Sequence, residues 1–100
     1  MGDILDAANR KMATIDDDGK VRNLQNAVIG RVLINGDVYD ASNRKIGYFQ
    51  EDGYVYDEDA RKVGLVKNDG YVHDYENQRV GRASGNNIKL AGAALLLLVR

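Results

Sequence analysis

The sequence contains no cysteine and no proline, and it has one histidine among its 100 residues. Without cysteine, neither disulfide bonds nor Cys-based metal or redox sites can form, and thiols give no indication of the compartment. Eleven glycines, together with Asn and Asp, must build the turns. An excess of one charge is also missing, since 14 Lys and Arg balance 15 Asp and Glu. A nucleic-acid-binding protein usually carries a basic excess or stripe, so we expect no nucleic-acid partner.

Long apolar segments are scarce too. Residues 1–6 lack the basic and apolar regions of a secretory signal, so we expect no signal peptide and, by default, a cytoplasmic protein. The strongest apolar run, residues 90–99, is ten residues long. A membrane-spanning helix needs about 20 residues. We therefore expect no membrane span, and peripheral contact with a membrane stays open as an alternative.

The most specific feature of the sequence is a unit of 17 residues that recurs about five times, starting at residues 2, 19, 36, 53 and 70. Each unit opens on a glycine, with an aliphatic residue two positions later and Asp or Asn four positions later. A second column of small residues consists of Ala13, Gly30, Gly47, Gly64 and Gly81. Columns that keep this spacing through five copies without an insertion indicate a repeat architecture.

Both halves of the unit are too short for helices, and their β-branched and aromatic residues favour β-strands. In repeats 2 to 5, the opening glycine follows Asp or Asn. Such an Asp-Gly or Asn-Gly pair predicts a type I′ turn with positive φ at both central residues. The other connection is a longer loop, such as residues 40–44. We expect its leading Asp to accept hydrogen bonds from the loop's own N–H groups and its Asn to adopt the left-handed conformation. Surface ion pairs with the Arg four positions later are expected at Asp6, Asp40 and Asp57.

These patterns predict an all-β fold of tandem 17-residue β-hairpin repeats over residues 1–86, with ten short strands. A single hairpin cannot bury its apolar face alone, so the repeats must meet around a common axis. The half-repeats at the two ends of this region are complementary, and pairing them would close the ring and remove both sheet edges. We expect a closed pseudo-symmetric array, about four-fold, with five-fold symmetry as the alternative.

The last segment, residues 87–100, differs in character from the repeats. Its Leu and Ala residues favour a short helix. It is apolar on all sides rather than along one face, which indicates burial on all sides. We expect it either to plug or cover the centre of the array, or to pack with copies of itself in a homo-oligomer. The residues expected to make these contacts are Leu90, Leu95, Leu96, Leu97, Leu98 and Val99.

Residues 36–48 read Gly-Asp-Val-Tyr-Asp-Ala-Ser-Asn-Arg-Lys-Ile-Gly-Tyr, and residues 91–99 form an Ala- and Leu-rich tail. This pattern resembles the bacterial proteins called four-fold beta flower domains over nearly the whole chain. The resemblance implies a β-hairpin array with pseudo-four-fold symmetry. It implies no biochemical function and no catalytic or binding residues. The tail contains more Leu, and less Phe, than the family leads us to expect.

Tyrosines recur on the strand face opposite the valines, because successive residues of a strand point to opposite sides. The residues that this alternation places on a common face are Tyr39, Tyr54, Tyr56, Tyr71 and His73. One interpretation is an aromatic platform for a glycan, a peptide or a partner protein. The other is ordinary cross-strand packing, since Tyr is a good strand former. The second interpretation is the more frequent one in thin sheets.

No residue pattern points to catalysis. His73 takes the place that Tyr39 and Tyr56 hold in the two preceding repeats, and a zinc site needs three or four converging ligands. Residues 16–19 are acidic but lack the spaced oxygen ligands of a calcium loop. Neither a Ser-His-Asp pattern nor a phosphate-binding loop occurs. We therefore expect no enzyme and no cofactor, but a structural or protein-interaction module that assembles through its C-terminus, with carbohydrate or peptide binding on the tyrosine face as the alternative.

Overall fold

In the computed structural model, which describes residues 2–85 and 87–99, ten antiparallel strands form a closed barrel. The strands are β1 (Gly2–Asp6), β2 (Lys11–Ile15), β3 (Lys20–Asn23), β4 (Val28–Val32), β5 (Asp37–Asp40), β6 (Lys45–Phe49), β7 (Tyr54–Asp57), β8 (Lys62–Val66), β9 (Tyr71–Asp74) and β10 (Arg79–Ala83). Each repeat contributes two strands, so repeat 1 contains β1 and β2 and repeat 5 contains β9 and β10. A helix, α1 (Ile88–Ala94), follows and continues into a π-helix, Leu95–Val99.

The first and last strands close the barrel, as predicted. Ile4 of β1 lies opposite Ala83 of β10, and Leu5 lies opposite Arg82. The expected four-fold symmetry of the array is wrong in its count, because the ring contains five strand pairs. Four hairpins surround the Asp-Gly and Asn-Gly turns, and the two end strands supply the fifth pair by joining each other. The five-fold alternative is therefore the correct one.

The Asp-Gly and Asn-Gly turns differ from the predicted type I′. In the first of them, the N–H of Asp16 donates to the carbonyl of Lys20 at 2.8 Å, and the N–H of Gly19 donates to the carbonyl of Asp16 at 2.9 Å. Gly19 has a φ of 89°, whereas Asp18 is not among the residues with positive φ. This is a three-residue loop with a type I turn followed by a left-handed glycine. It needs positive φ only at the glycine, which spares the preceding Asp or Asn the strain of that conformation.

The other connections, expected to be longer loops, have the same length and the same geometry as the turns, with asparagine in the left-handed position. We call them the capped loops. Asn9, Asn26, Asn43 and Asn77 have φ between 66° and 68°, and Ala60 in repeat 4 has a φ of 64°. The leading Asp caps the loop as expected. In repeat 1, for example, Asp6 Oδ1 accepts hydrogen bonds from the N–H groups of Ala8 and Arg10, both at 2.9 Å.

The expected ion pairs of these loops are also present. The Arg Nε to Asp Oδ2 distances are 3.1 Å for Arg10–Asp6, 3.7 Å for Arg44–Asp40 and 3.1 Å for Arg61–Asp57. The barrel thus has two ends, which we name after their connections. The turn end carries the Asp-Gly and Asn-Gly turns, and the loop end carries the capped loops.

The core lies on the barrel axis. The aliphatic residue of each odd-numbered strand is fully buried, and these residues are Ile4, Val21, Val38, Val55 and Val72. A second set of apolar residues, each directly before a small residue of the second column, is less buried. Met12 is 38% exposed, and the other members are partly buried, namely Ile29, Ile46, Val63 and Val80. The centre is filled by α1 and the π-helix, in which residues 91–96 are buried. The barrel is wider than it is tall, with extents of 30 × 29 × 20 Å.

We predict that Ala60→Asn stabilises the protein by about 1 kcal/mol, because a left-handed conformation strains alanine and asparagine tolerates it. The reverse change in repeat 5, Asn77→Ala, should destabilise it by a similar amount. Urea denaturation of both variants measures the two effects. Equal midpoints for Ala60→Asn and wild type would contradict this account of the loop.

A second prediction concerns acid stability. The backbone N–H of Arg61, which donates to Asp57 Oδ1, lowers the pKa of the Asp57 carboxyl below its ordinary value of 3.8, and the N–H of Asp59 and the Arg61 guanidinium add to this effect. A pKa that is lower in the folded state stabilises the fold above the ordinary carboxyl pKa, and this contribution disappears as the pH falls through the lowered value.

Asp57→Asn should keep the loop hydrogen bonds, since Asn23 Oδ1 makes the same bonds in repeat 2 at 3.0 Å. It should therefore retain the fold near neutral pH and reduce the loss of stability below about pH 4. Thermal denaturation over a pH series, with Glu58→Gln as the matched control, checks this. The prediction fails if Asp57→Asn and the control show the same acid profile as wild type.

Candidate functional site

The C-terminal segment, residues 88–99, runs along the barrel axis, and we call it the plug. A Cβ atom built on each inward glycine would come within 3 Å of a leucine methyl group of the plug. The distances are 2.6 Å for Gly81–Leu95, 2.7 Å for Gly64–Leu96, 2.8 Å for Gly47–Leu97 and 2.6 Å for Gly30–Leu98. Four successive leucines therefore contact four successive repeats. The glycines provide the space that these side chains occupy.

The π-helix follows from this arrangement. Five repeats in a closed ring are each rotated by one-fifth of a turn from the next. An α-helix rotates by more than a quarter of a turn per residue, so its successive side chains would overshoot the next repeat. A π-helix, with hydrogen bonds from residue i to i+5, rotates less per residue. The change from α to π at Leu95 brings the rotation per residue closer to that of the ring.

The plug enters from the turn end. Gly92 of α1 packs against Val66, the last residue of β8, and Leu96 contacts Gly64 in the middle of the same strand. The remaining expected contact residues, Leu90, Leu97, Leu98 and Val99, are partly buried and pack against the core. Two grooves of about 390 and 520 Å³ flank the start of the plug and share Ile34, Asn87 and Leu90.

The predicted tyrosine-face residues lie on the outside of the barrel, as alternation requires. Tyr54 and Tyr56, for example, are half-buried on the outer side while Val55 between them is fully buried. Closure of the sheet spreads the five predicted residues around the wall instead of placing them on one plane. Tyr39 belongs to β5, whereas the others belong to β7 and β9.

Tyr48 was missed by the sequence reasoning. It lies opposite Tyr56 on the neighbouring strand, and the two rings stack with centroids 5.1 Å apart and planes at 16°. Its position directly after the inward Gly47 could have indicated an outward side chain. The strand register was needed to show which tyrosine it meets.

Basic side chains cover several of the tyrosine rings, which the sequence reasoning also missed. Lys62 Nζ lies 3.8 Å from the ring centroid of Tyr54. The guanidinium carbons of Arg79 and Arg82 lie 4.7 and 5.5 Å from the ring centroid of Tyr71. Such cation–π contacts contribute about 0.5–1 kcal/mol each at exposed sites.

Strands β7 to β10 bring these groups together on one side of the barrel. In the strand register, Tyr71 lies opposite Arg82, and His73 lies opposite both Leu65 and Arg79. We call this surface the aromatic-cationic wall, and it consists of Tyr54, Lys62, Tyr71, His73, Arg79 and Arg82. Tyr56 adjoins it beside Lys62, and Tyr39 lies outside it, where Arg31 covers its ring at 5.7 Å.

The sequence matches a family model described as the 5-fold beta-flower protein over residues 1–98. The chain belongs to this family. The resemblance to the beta flower domains is thus correct as to family, and the symmetry is five-fold rather than four-fold. Comparison with curated proteins and with solved structures found no match.

The acidic turn of this beta-flower barrel uses its carboxylates locally. Asp16 Oδ2 accepts a hydrogen bond from Arg22 Nε at 2.9 Å, and Asp18 Oδ2 lies 3.8 Å from Lys20 Nζ. Residues 2–85 and 87–99 contain no group of three or more His, Asp or Glu side chains that could hold a metal ion. Within the same part of the chain, no helix combines the length and the apolar character needed to cross a membrane.

We predict that the fit between glycine and leucine is a coupled contact. Gly64→Ala should destabilise the barrel by about 1–3 kcal/mol, because the new methyl group overpacks the space of Leu96 and the carbonyl of His73. Adding Leu96→Ala should cost less in this variant than in wild type, since the shortened side chain makes room. Ala13→Gly serves as the matched control in the same column.

A double-mutant cycle by urea denaturation measures this coupling. If the effects of Gly64→Ala and Leu96→Ala simply add, the plug does not fit the ring as described.

Proposed function

We propose that this beta-flower chain is a non-enzymatic structural module that acts by binding protein partners through the outside of its barrel. The observation that carries the proposal is the filled interior. Closed barrels of similar size can hold a small ligand along their axis. Here that space contains the chain's own plug, with Leu95 only 2% exposed and residues 91, 93 and 94 fully buried. Recognition is left to the wall and to the two ends.

The roles of the polar side chains support a non-enzymatic module. The Asp or Asn that leads each capped loop accepts two backbone hydrogen bonds in its own loop. Several of these carboxylates also pair with the Arg four positions later. These interactions form the loops and account for the most regular polar column of the sequence.

The partner that we propose first is another copy of the chain. The plug points toward the loop end, where Leu97, Leu98 and Val99 are only partly buried. Large apolar side chains are also exposed at this end, with Leu24 61%, Val28 41% and Tyr75 72% exposed. Exposed apolar groups gathered at one end favour a protein contact. Assembly would then use the loop end of an intact barrel rather than a released tail.

A second candidate is ligand binding by the aromatic-cationic wall. The observation that favours it is the grouping of four of the five predicted residues on β7 and β9, next to basic side chains. Because cations already cover the rings of Tyr54 and Tyr71, we favour a peptide over a carbohydrate that would stack on bare rings.

The self-association proposal predicts that Leu24→Glu lowers the mass of any assembled species in multi-angle light scattering, because a charge in an apolar contact is costly. The matched control is Ile34→Glu at the turn end, where Ile34 is 88% exposed. Both are surface changes, whereas deleting the plug would empty the core.

A monomeric wild type at high concentration would exclude self-association. If wild type assembles and both Leu24→Glu and Ile34→Glu lower the mass of the assembly equally, the loop end is excluded as the specific contact.

A further inference from the structure

Four of the five repeats carry a basic side chain at one equivalent position, whereas repeat 2 has Val28 there. In repeat 1, Lys11 Nζ lies 3.6 Å from Asp3 Oδ1 on the neighbouring strand. In repeat 3, the equivalent Lys45 Nζ lies 3.1 Å from Asp37 Oδ1. Each of these lysines is neutralised by a carboxylate of its own repeat.

Repeats 4 and 5 replace that carboxylate with tyrosine. Tyr54 occupies the position of Asp37, and Lys62 lies over its ring at 3.8 Å. Tyr71 occupies the same position in repeat 5, and Arg79 lies over its ring at 4.7 Å. A tyrosine ring holds the cation in place but does not cancel its charge. The same position is therefore neutral in repeats 1 and 3 and positive in repeats 4 and 5.

Arg82 adds a third positive charge to this side of the barrel. The guanidinium groups of Arg82 and Arg79 both lie against the ring of Tyr71. The two positive charges are therefore close to each other. Among the described residues, neither Lys62, Arg79 nor Arg82 forms an ion pair with a carboxylate. In contrast, the lysines of repeats 1 and 3 both do.

Two nitrogen atoms of the wall also lack hydrogen-bond partners within the described part of the chain. They are Arg82 Nε and His73 Nδ1, and both are covered by neighbouring atoms. Arg82 Nε is a donor at every pH at which the protein folds. Buried donors without an acceptor are rare in folded proteins. An unsatisfied donor in the wall is therefore consistent with an acceptor that a partner supplies.

We propose that the aromatic-cationic wall binds a carboxylate-rich segment of a protein partner. This inference rests on the second proposed function, which makes the wall a binding surface. Arg79 Nη2 donates to the carbonyl of Ala7 at 3.1 Å, which leaves the other donors of the Arg79 and Arg82 guanidinium groups for the two oxygens of a carboxylate. Their contact with Tyr71 limits the freedom that binding would remove. A long polyanion such as a nucleic acid is disfavoured, because the chain as a whole has a net charge of −1.

The test uses the full chain and a short fluorescein-labelled peptide of alternating Glu and Gly, with the matched Gln–Gly peptide as the uncharged probe. Fluorescence anisotropy should show binding of the Glu peptide that weakens as salt is raised, and little binding of the Gln peptide. Tyr71→Asp gives repeat 5 the carboxylate of repeats 1 and 3, and it should weaken binding at least about tenfold, because charge-assisted hydrogen bonds are lost.

The converse variant is Asp37→Tyr, which gives repeat 3 the arrangement of repeat 4 and releases the charge of Lys45. It should strengthen binding of the Glu peptide several-fold. The matched control is the double variant Asp37→Asn, Lys45→Gln, which should leave binding unchanged because it removes both charges of an existing pair. Circular dichroism establishes that each variant keeps the barrel.

Several outcomes would overturn the inference. Equal binding of the Glu and Gln peptides, or unchanged binding after Tyr71→Asp, would show that carboxylates are not recognised. A labelled oligonucleotide serves as a further probe in the same assay. If it binds more tightly than the Glu peptide and Tyr71→Asp weakens this binding, the partner is a phosphate polymer and not an acidic protein segment. Binding of uncharged peptides or glycans that is lost on Tyr71→Ala would keep the wall as a binding surface and exclude the acidic partner. No binding of any probe by wild type would exclude both.

Discussion

The contact between the inward glycines and the leucines of the plug is the constraint on which the rest of the structure depends. Strands of four or five residues bury few side chains each, and a ring of ten such strands leaves space along its axis. Gly30, Gly47, Gly64 and Gly81 present backbone to that space, so leucine side chains can reach the sheet itself. A fully buried leucine contributes roughly 1.5–3 kcal/mol. The plug therefore supplies much of the core that the barrel cannot build alone.

The number of repeats and the geometry of the plug constrain each other. A ring of five needs a helix whose residues advance by a small rotation, and the π-helix of residues 95–99 approaches that requirement. One leucine per repeat then becomes possible in consecutive positions. The run of leucines in the sequence has no periodicity of its own, because the ring rather than an amphipathic face sets its spacing. This is why the run predicts burial but not the kind of helix.

Much of the fold could be predicted from the sequence, because the repeat makes each local signal visible five times. The strands, the closed ring and the capping role of Asp6 and its equivalents all follow from residue type and spacing. The turn type could not be predicted in this way, because an Asp-Gly pair fits both a two-residue and a three-residue loop. Only the strand register selects between the two. The symmetry was undercounted because the fifth strand pair is formed by residues at opposite ends of the repeat region, Ile4 and Ala83 among them.

The candidate site was predictable only in part, for a related reason. Alternation along a strand gives the side on which Tyr54 and Tyr71 lie, but it does not give their neighbours around a closed barrel. Long basic side chains reach across strands, so the cations that cover these rings become visible only with the register.

The inward columns of every repeat must match the same plug, which leaves them little freedom to differ. The outward columns touch no plug, and there Asp3 and Asp37 give way to Tyr54 and Tyr71 within one molecule. In a barrel whose interior is filled by its own chain, the differences between repeats on the outer wall are therefore where specificity for a partner can reside.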